Sequence, residues 1–227
     1  MSDIKKLQAY FGLKFNDESL LVRALTHSSY ANEAQTKSYE RLEFIGDAVL
    51  DLAVGHYLFN NLDEPEGVLT KKRAQEVCEA SLAAYARSFN LGKYLLLGRG
   101  EEKSGGREKP AILADAFEAF LGAVFLDKGF SEVYKILDKV VFPVIAANLD
   151  QEDSDYKSKL QELVQSDKRT LTYEIISESG PAHERKFIAR VYMDDVIIMG
   201  EGEGKTKKDA EQNAAKATLD KLAETDK

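Results

Sequence analysis

The sequence predicts a multidomain protein, in which an all-α domain at residues 1–150 precedes a smaller α+β domain of order α-β-β-β-α at residues 156–227. Three observations support this division. Apolar residues recur at helical spacing through the first part of the chain. A charged segment without apolar residues, 151–155, then forms the predicted linker. Beyond it, short alternating segments bounded by turn residues are typical of strands.

The elements are placed by apolar spacing and by residues that favour helix starts and turns. Pro110, for example, suits the first turn of a helix and opens the most apolar one. The predicted helices of the first domain cover residues 3–11, 16–25, 40–59, 69–85, 110–126 and a region near 137–149, with intervening loops that include 31–38, 60–67 and 99–109. In the second domain, helices at 156–165 and 206–223 enclose strands at 171–176, 186–193 and 196–201.

Composition excludes several broad classes. With 44% hydrophobic and 31% charged residues, the chain of 227 residues is globular and not disordered. A net charge of −8 gives no overall basic field, so any contact with nucleic acid must be local. The single cysteine, Cys78, permits no intrachain disulfide and fits a reducing, cytosolic setting. The start of the chain lacks the apolar core of a signal peptide, and no apolar run is long enough to predict a membrane span.

Four acids share one ridge of the helix at 40–59, because they are spaced three or four residues apart. They are Glu40, Glu43, Asp47 and Asp51. Apolar residues on both sides predict that this helix is buried nearly all round, with a main stripe of Leu42, Ile45, Val49 and Leu52. Buried carboxylates are costly unless a cation balances them, and no Lys or Arg lies on the ridge. A solvated acidic helix face is the alternative interpretation.

Two further acids, Asp115 and Glu118, interrupt the otherwise apolar run at 111–126. At a spacing of three residues they share one face of a helix that must otherwise belong to the core. With Glu43 and Asp47 they could form an all-carboxylate site, which favours the hard cations Mg²⁺ and Mn²⁺ over zinc. Two such ions about 4 Å apart would suit hydrolysis of a phosphodiester. An incidental pair of acids on an exposed edge is the alternative.

The histidines argue against other metal chemistries. None of His27, His56 and His183 belongs to an E-x-x-H or H-E-x-x-H pattern, which weakens a di-iron carboxylate bundle and a zinc protease. His27 could be a ligand or a base, although a histidine beside Ser and Thr is more often a hydrogen-bonded structural residue. We find no arrangement of Ser, His and acid for acyl transfer, and we expect no organic cofactor.

The bases of the second domain are concentrated at the start of its last helix. Thr206 can cap that helix together with Asp209, three residues further on. Lys205, Lys207 and Lys208 then lie at the positive end of the helix dipole, which is unfavourable unless an anion binds there. This predicts a phosphate contact, with a solvated lysine run as the alternative.

The segment from Glu40 to Asp47 resembles the signature of the ribonuclease III family. Residues 115–119 resemble the second acidic motif of that family, and residues 104–106 match the loop before it. The C-terminal part is similar to a double-stranded-RNA-binding domain at residues 156–165, 180–183 and 204–211. The resemblance covers nearly the whole chain in the bacterial single-polypeptide layout. It implies a homodimeric, Mg²⁺-dependent endoribonuclease that cuts both strands of duplex RNA and leaves 5′-phosphate and 3′-hydroxyl ends with short 3′ overhangs.

Carried over residue by residue, the resemblance assigns the metal-binding and catalytic set to Glu43, Asp47, Asp115 and Glu118. Glu40 and Glu66 become secondary acids near the cleft. Phe44 becomes an aromatic plug at the dimer interface. Ile45 stands where leucine is commoner in the family, a departure that changes none of these assignments.

In the second domain, the resemblance places Gln161 and Gln165 at one minor groove of the duplex and His183 at the next. Lys205, Lys207 and Lys208, with Thr206 among them, would meet phosphates across the intervening major groove. This agrees with recognition of duplex RNA by shape and 2′-hydroxyls over about 16 base pairs.

The resemblance further implies a cytoplasmic enzyme that processes ribosomal, messenger and other RNA precursors. The main alternative is a non-catalytic double-stranded-RNA-binding relative, which keeps the fold and loses the acids. The presence of all four acids disfavours it. A metal-storage or redox carboxylate bundle would bind iron and lack affinity for RNA, and the missing E-x-x-H pattern argues against it.

Overall fold

The computed structural model describes residues 2–153, 155–165, 169–181 and 185–225. The chain divides into two compact units, Met1–Ala146 and Ala147–Lys227. The predicted combination of an all-helical domain with a smaller α+β domain is confirmed. The division falls within the helix Phe142–Asp153, so residues 151–153 of the predicted linker are helical. The domain boundary at residue 150 stays a prediction.

The described part of the first unit is built from α-helices joined by short loops. They are α1 (Ser2–Phe11), α2 (Glu18–Ala24), α3 (Ser28–Ala34), α4 (Glu40–Asn61), α5 (Glu66–Glu76), α6 (Glu79–Ser88), α7 (Arg99–Lys103), α8 (Pro110–Lys128), α9 (Phe130–Val140) and the first residues of α10 (Phe142–Asp153). Single turns of 3-10 helix lie at Leu91–Tyr94 and Gly106–Glu108. This helical unit positions the candidate active site.

The helix α8 is the centre of the first unit, with α2, α4 and α6 packed around it. Its Phe117 and Phe120 are fully buried, and apolar residues cover nearly the whole of its circumference. The acids Asp115 and Glu118 are the half-buried exceptions in its middle. Within the described residues, neither α8 nor any other helix is long and apolar enough to cross a membrane.

The structure differs from the sequence-based prediction at four places in the first unit. The region predicted as one helix near 137–149 is divided between α9 and α10, which are separated at Val141. The helix α3 occupies part of the predicted loop at 31–38, because His27 caps its first turn. The single helix predicted at 69–85 is two helices, since Cys78 adopts an extended conformation between α5 and α6. The charged loop predicted at 99–109 contains α7.

The second unit contains α11 (Tyr156–Gln165), β1 (Leu171–Ser179), β2 (Lys186–Met193), β3 (Ile197–Gly204) and α12 (Lys207–Thr225). The three strands form an antiparallel sheet in the order β1-β2-β3. Asp194 and Asp195 both have positive φ angles, 53° and 61°, in the tight turn between β2 and β3. One side of the sheet packs against α11 and α12 through a core that includes Phe187, Val191 and Ala214.

Candidate active site

The helices α4 and α8 cross with their backbones in direct contact. A Cβ atom built on Gly46 would lie 1.8 Å from the carbonyl oxygen of Glu118, and one on Gly122 would lie 2.1 Å from a backbone carbonyl oxygen of α4. A side chain at either position would push the helices apart. Glu43 and Asp47 lie on either side of Gly46 in the chain, so the crossing brings the acids of α4 beside those of α8.

We call Glu43, Asp47, Asp115 and Glu118 the acid cluster. Burial, followed by the charges of Asp47, Glu43, Asp115 and Asp51, raises the pKa of Glu118 to about 8. The pKa of Glu43 is also raised, by burial first and then by Asp115, Glu40 and Asp47. The structure thus brings the four predicted acids into one electrostatic neighbourhood, in which the other three carboxylates disfavour the charge of Glu118, and those of Asp115 and Asp47 that of Glu43.

The carboxylates do not already form a closed coordination sphere. Among the described residues, no three acidic, histidine or cysteine side chains are gathered closely enough to hold a metal ion as they stand. All four side chains of the acid cluster have rotatable bonds and offer only oxygen donors, so rotation toward a common point would suit a hard cation. Such a cation would relieve the repulsion that raises the pKa of Glu118.

Two residues that the sequence analysis did not single out lie near the acids of the ridge and the cluster. Tyr39 is buried at the start of α4, and burial, followed by the charges of Asp115, Glu43 and Glu40, raises the pKa of its hydroxyl far above the usual range. Arg73 of α5 places its Nε 3.8 Å from Oδ1 of Asp51. No Lys or Arg lies on the ridge itself, as expected, yet Asp51 has a basic neighbour. Its cation comes from a neighbouring helix, which spacing along α4 cannot reveal.

The two predicted secondary acids are placed differently. Glu40 is exposed, accepts a hydrogen bond from Ser38 Oγ at 2.7 Å and raises the pKa of Glu43. Glu66 begins α5, where its Oε1 accepts from Thr70 Oγ1 at 3.1 Å. It lines a groove of about 610 Å³ on the side of α4 that carries Asp51. Of these two acids, Glu40 is the one whose charge raises a pKa within the acid cluster, that of Glu43.

One side of α4 exposes large apolar side chains. Phe44 is 79% exposed, Leu52 62% and Phe59 71%. These three residues form what we call the exposed apolar face. The prediction that α4 is buried nearly all round is wrong on this side, and Leu52, assigned to the buried stripe, belongs to it. Helical spacing predicts on which side of a helix an apolar residue lies. It does not show whether other residues of the same chain cover that side.

The second unit presents its predicted RNA-binding residues at separate elements. Gln161 is exposed on α11, and Gln165 is the last residue of that helix. Thr206 and Asp209 form the predicted reciprocal cap of α12, with Asp209 N donating to Thr206 Oγ1 at 3.1 Å and Thr206 N to Asp209 Oδ2 at 3.2 Å. His183 lies outside the described residues.

The three lysines at the start of α12 are Lys205, Lys207 and Lys208. All are exposed, and none forms an ion pair with another residue that the structure describes. Lys207 Nζ lies 5.9 Å from the ring centroid of Phe187, over the edge of the core of the second unit. Unpaired charges at a capped helix N-terminus form a suitable contact for phosphate.

Comparisons with known proteins agree with this arrangement. The model of the family "Ribonuclease-III-like" matches residues 17–145, and that of the "Double-stranded RNA binding motif" matches residues 156–222. Ribonuclease 3 of Oceanobacillus iheyensis is 51% identical over 225 residues, which cover 97% of this chain and 98% of the relative. Ribonuclease 3 of Bacillus cereus is 50% identical over 225 residues, 97% of this chain and 91% of the relative.

A solved structure is also similar to the first unit. It is the nuclease domain of ribonuclease III from Campylobacter jejuni, described for flexibility in a region involved in dimer formation. It is 46% identical, with a TM-score of 0.58, and the match covers 61% of this chain and 95% of that chain. The matches extend over both units and the acids of α4 and α8, and the chain therefore belongs to the ribonuclease III family of double-strand-specific endoribonucleases.

Proposed function

We propose that the acid cluster binds Mg²⁺, for which Mn²⁺ can substitute, and that duplex RNA is hydrolysed there on both strands. The products carry 5′-phosphate and 3′-hydroxyl ends with short 3′ overhangs. The observation that supports this site is the effect of burial and of the charges of Asp47, Glu43 and Asp115 on Glu118, which raises its pKa to about 8. A shift of this size from burial and specific charge partners is typical of functional carboxylates.

The donor set of the acid cluster fits a hard divalent cation. Mg²⁺ prefers carboxylate oxygens, keeps several waters and commonly meets substrate phosphates. When bound, one or two such ions activate a water and stabilise the leaving oxygen of a phosphodiester. Zinc would favour histidine or cysteine donors, which the cluster does not contain.

The acids of the cluster have distinct tasks that follow from their surroundings. Glu118 is surrounded by carboxylates, so its Oε atoms keep a proton near neutral pH until positive charge is supplied. Its ionisation therefore accompanies cation binding. Glu43 and Asp47 supply the carboxylates of α4, and Asp115 supplies the second carboxylate of α8. Glu40 adds negative charge from the edge, and Glu66 serves as a more distant acid in the groove beside Asp51.

The second unit binds the duplex by shape. Gln161 and Gln165 of α11 contact one minor groove, and His183 reaches the next. Lys205, Lys207 and Lys208 contact phosphates of the major groove between them, with Thr206 fixing the helix start. Their exposure and lack of ion pairs with described residues support this role. A second unit with local positive charge lets a chain of net charge −8 bind a polyanion.

The active form is a homodimer that pairs through the exposed apolar face. Contiguous exposed apolar side chains on one helix mark an interaction surface. Phe44 is the central aromatic plug of this interface, and its 79% exposure within one chain supports that assignment. The substrates are the duplex stems of ribosomal, messenger and other RNA precursors in the cytoplasm.

Incubation with labelled duplex RNA, with and without Mg²⁺, tests the proposal. We expect cleavage of both strands only when Mg²⁺ or Mn²⁺ is present, and products of defined length with 5′-phosphate ends. Binding of the duplex without cleavage under all metal conditions would favour the non-catalytic relative. Equally efficient binding and cleavage of single-stranded RNA would contradict the assignment of duplex recognition to the second unit.

A further inference from the structure

The side chain of Gln212 on α12 joins the two helices of the second unit. Its Oε1 accepts a hydrogen bond from the backbone N of Lys157 at 2.9 Å, and its Nε2 donates to Oδ1 of Asp155 at 2.9 Å. Because one partner can only donate and the other accepts, they fix which end of the amide meets which partner. Gln212 is partly buried. The helix α12 therefore holds the start of α11 at two points.

These two points belong to the N-terminal cap of α11. Asp155 precedes the helix, and its carboxylate accepts from Ser158 N at 3.3 Å and from Ser158 Oγ at 2.7 Å. Hydrogen bonds from Gln212 and Ser158 hold the pKa of Asp155 below its usual range, so this acceptor stays ionised at neutral pH. The first backbone N–H groups of a helix have no partner within it, and Gln212 supplies one for Lys157. The cap of α11 is thus completed by a residue of α12.

An ion pair joins α11 and α12 at the same turn. Lys157 Nζ donates to Oε2 of Glu211 at 2.6 Å, and the two side chains are 33% and 25% exposed. The same Nζ lies 4.3 Å from the ring centroid of Tyr173 on β1. Glu211 directly precedes Gln212, so both links act at one turn of α12. The pair also neutralises an acid that lies one turn after Lys207.

The two links lie one turn from proposed RNA contacts on both helices. Gln161 follows Lys157 by four residues, so the two share one side of α11. Gln212 follows Lys208 by four residues and shares one side of α12 with it. Gln161 is a proposed minor-groove contact, and Lys208 is a proposed phosphate contact. The distance between these two contacts is therefore set where the helices are joined.

The two contacts meet different chemical groups of a duplex. Phosphates are present in RNA and in DNA, whereas the 2′-hydroxyls in the minor groove of A-form RNA are absent from DNA. Lysine contacts to phosphate give affinity that depends on charge and not on the sugar. Selectivity for RNA therefore needs α11 to reach the minor groove while α12 contacts the phosphates. Elements that already have the correct spacing bind without the cost of being ordered.

We propose that Gln212 is a positioning residue, which fixes α11 relative to the start of α12 and thereby supports the selectivity of the second unit for duplex RNA over duplex DNA. The inference rests on the RNA contacts proposed for that unit. Without the side chain of Gln212, Lys208 still meets phosphates, but Gln161 approaches the minor groove on a less restricted helix. Binding of RNA should therefore weaken, while binding of DNA, which lacks the 2′-hydroxyls, should not.

The full-length variant Gln212→Ala removes both hydrogen bonds to the start of α11. Asn213→Ala is its matched control, because Asn213 is the neighbouring amide on α12 and its Nδ2 donates to the carbonyl oxygen of Glu203 on β3 at 2.8 Å. Titrations in Ca²⁺ at low salt compare RNA and DNA duplexes of the same sequence. In Gln212→Ala we expect RNA affinity to fall about 10-fold and DNA affinity to change less than about 2-fold. In Asn213→Ala both affinities should change less than about 2-fold.

Asp155→Asn tests the link from the side of α11. The amide oxygen of asparagine can still accept from Gln212, and asparagine caps a helix as well as aspartate, so the ratio of RNA to DNA affinity should keep its wild-type value. Equal losses of RNA and DNA binding in Gln212→Ala, an unchanged RNA affinity, or unfolding of its second unit would each overturn the positioning role. A wild-type protein without preference for duplex RNA over duplex DNA would instead overturn the RNA contacts proposed for this unit.

Discussion

Gly46 and Gly122 face each other where α4 crosses α8, and a Cβ atom on either residue would lie 3.1 Å from the backbone nitrogen of the other. Each Cβ would also come still closer to a carbonyl oxygen of the opposite helix. The two acid pairs of the cluster are held together by this absence of side chains. The close packing of α4 against α8 therefore requires glycine at position 46, independently of any catalytic role of the neighbouring acids.

Gly46→Ala should destabilise the first unit by about 1–3 kcal/mol or more, because the methyl group has no space and the helices must separate. Urea unfolding followed by circular dichroism measures the change. Gly67→Ala is the control, since a Cβ there meets no atom within 4 Å and the residue lies inside α5. It should stabilise by about 0.5–1 kcal/mol. Equal stability of Gly46→Ala and wild type would contradict the close crossing.

Glu118→Gln should abolish cleavage, by at least about 100-fold, while duplex RNA binding is retained. The amide keeps the size of the side chain but removes a carboxylate from the proposed metal site, and the RNA-binding residues lie on the other unit. Single-turnover cleavage and a binding titration in Ca²⁺ measure the two properties separately. Equal loss of both would point to misfolding or to another role for Glu118.

The stability of the metal-free protein should depend on the pKa of Glu118. Its value of about 8 in the folded protein lies above the ordinary 4.5, so the folded state binds a proton that the unfolded state has released. This contribution is fully present below pH 4.5 and is lost as the pH rises to about 8. Glu43 and Asp115, whose pKa values are also raised, act in the same direction.

Urea midpoints in EDTA at pH 5 and pH 8 test this expectation. From pH 5 to pH 8, wild type should lose more stability than Glu118→Gln, in which the titrating group is absent. Mg²⁺ should restore stability to wild type at pH 8, because an ion that binds only the folded state stabilises it by mass action. Parallel profiles of the two proteins would show that Glu118 does not titrate in this range.

Much of the fold could be predicted because several elements carry strong local signals. The predicted helix at 156–165 and strand at 186–193 coincide with α11 and β2. The break at Cys78 could not be predicted, since neither glycine nor proline marks it and both flanking segments have helical spacing. The helix α3 is polar, and its start depends on a cap by a histidine, which is an uncommon capping residue.

Spacing indicated a candidate site on two helices, since two carboxylates in the middle of an apolar helix are costly unless they bind a cation, and the family resemblance then selected the four acids. What spacing could not give is contact between elements. Arg73 reaches Asp51 from α5. Leu52 is apolar and correctly spaced, yet it is exposed, because spacing does not show whether other residues of the chain cover a side chain.

Changing Lys205, Lys207 and Lys208 together to Ala should weaken duplex RNA binding and reduce its dependence on salt. Each phosphate contact contributes about 0.9 to the slope of log affinity against log salt, so the slope should fall by about 3. Lys186→Ala is the control, because Lys186 Nζ is already paired with Glu203 Oε1 at 2.7 Å on the sheet. An unchanged slope in the triple variant would exclude these lysines from the interface.

Phe44→Asp should convert the protein to a monomer. In a dimer that buries the exposed apolar face, the new carboxylate would be desolvated without a partner, which costs several kcal/mol at each of two symmetric positions. Val196→Asp is a matched control, since Val196 is also 79% exposed but lies at the turn before β3 in the second unit. Sedimentation velocity measures the state of both variants and of the fragment 1–150.

We expect a dimer for wild type, for Val196→Asp and for the fragment, and a monomer for Phe44→Asp alone. The fragment should also retain weak cleavage at low salt, because it contains the whole acid cluster and the exposed apolar face but lacks the lysines of α12. A monomeric fragment, or a Phe44→Asp variant that still dimerises, would mean that the interface lies elsewhere. The exposed apolar face of α4 would then bind a partner other than a second copy of the chain.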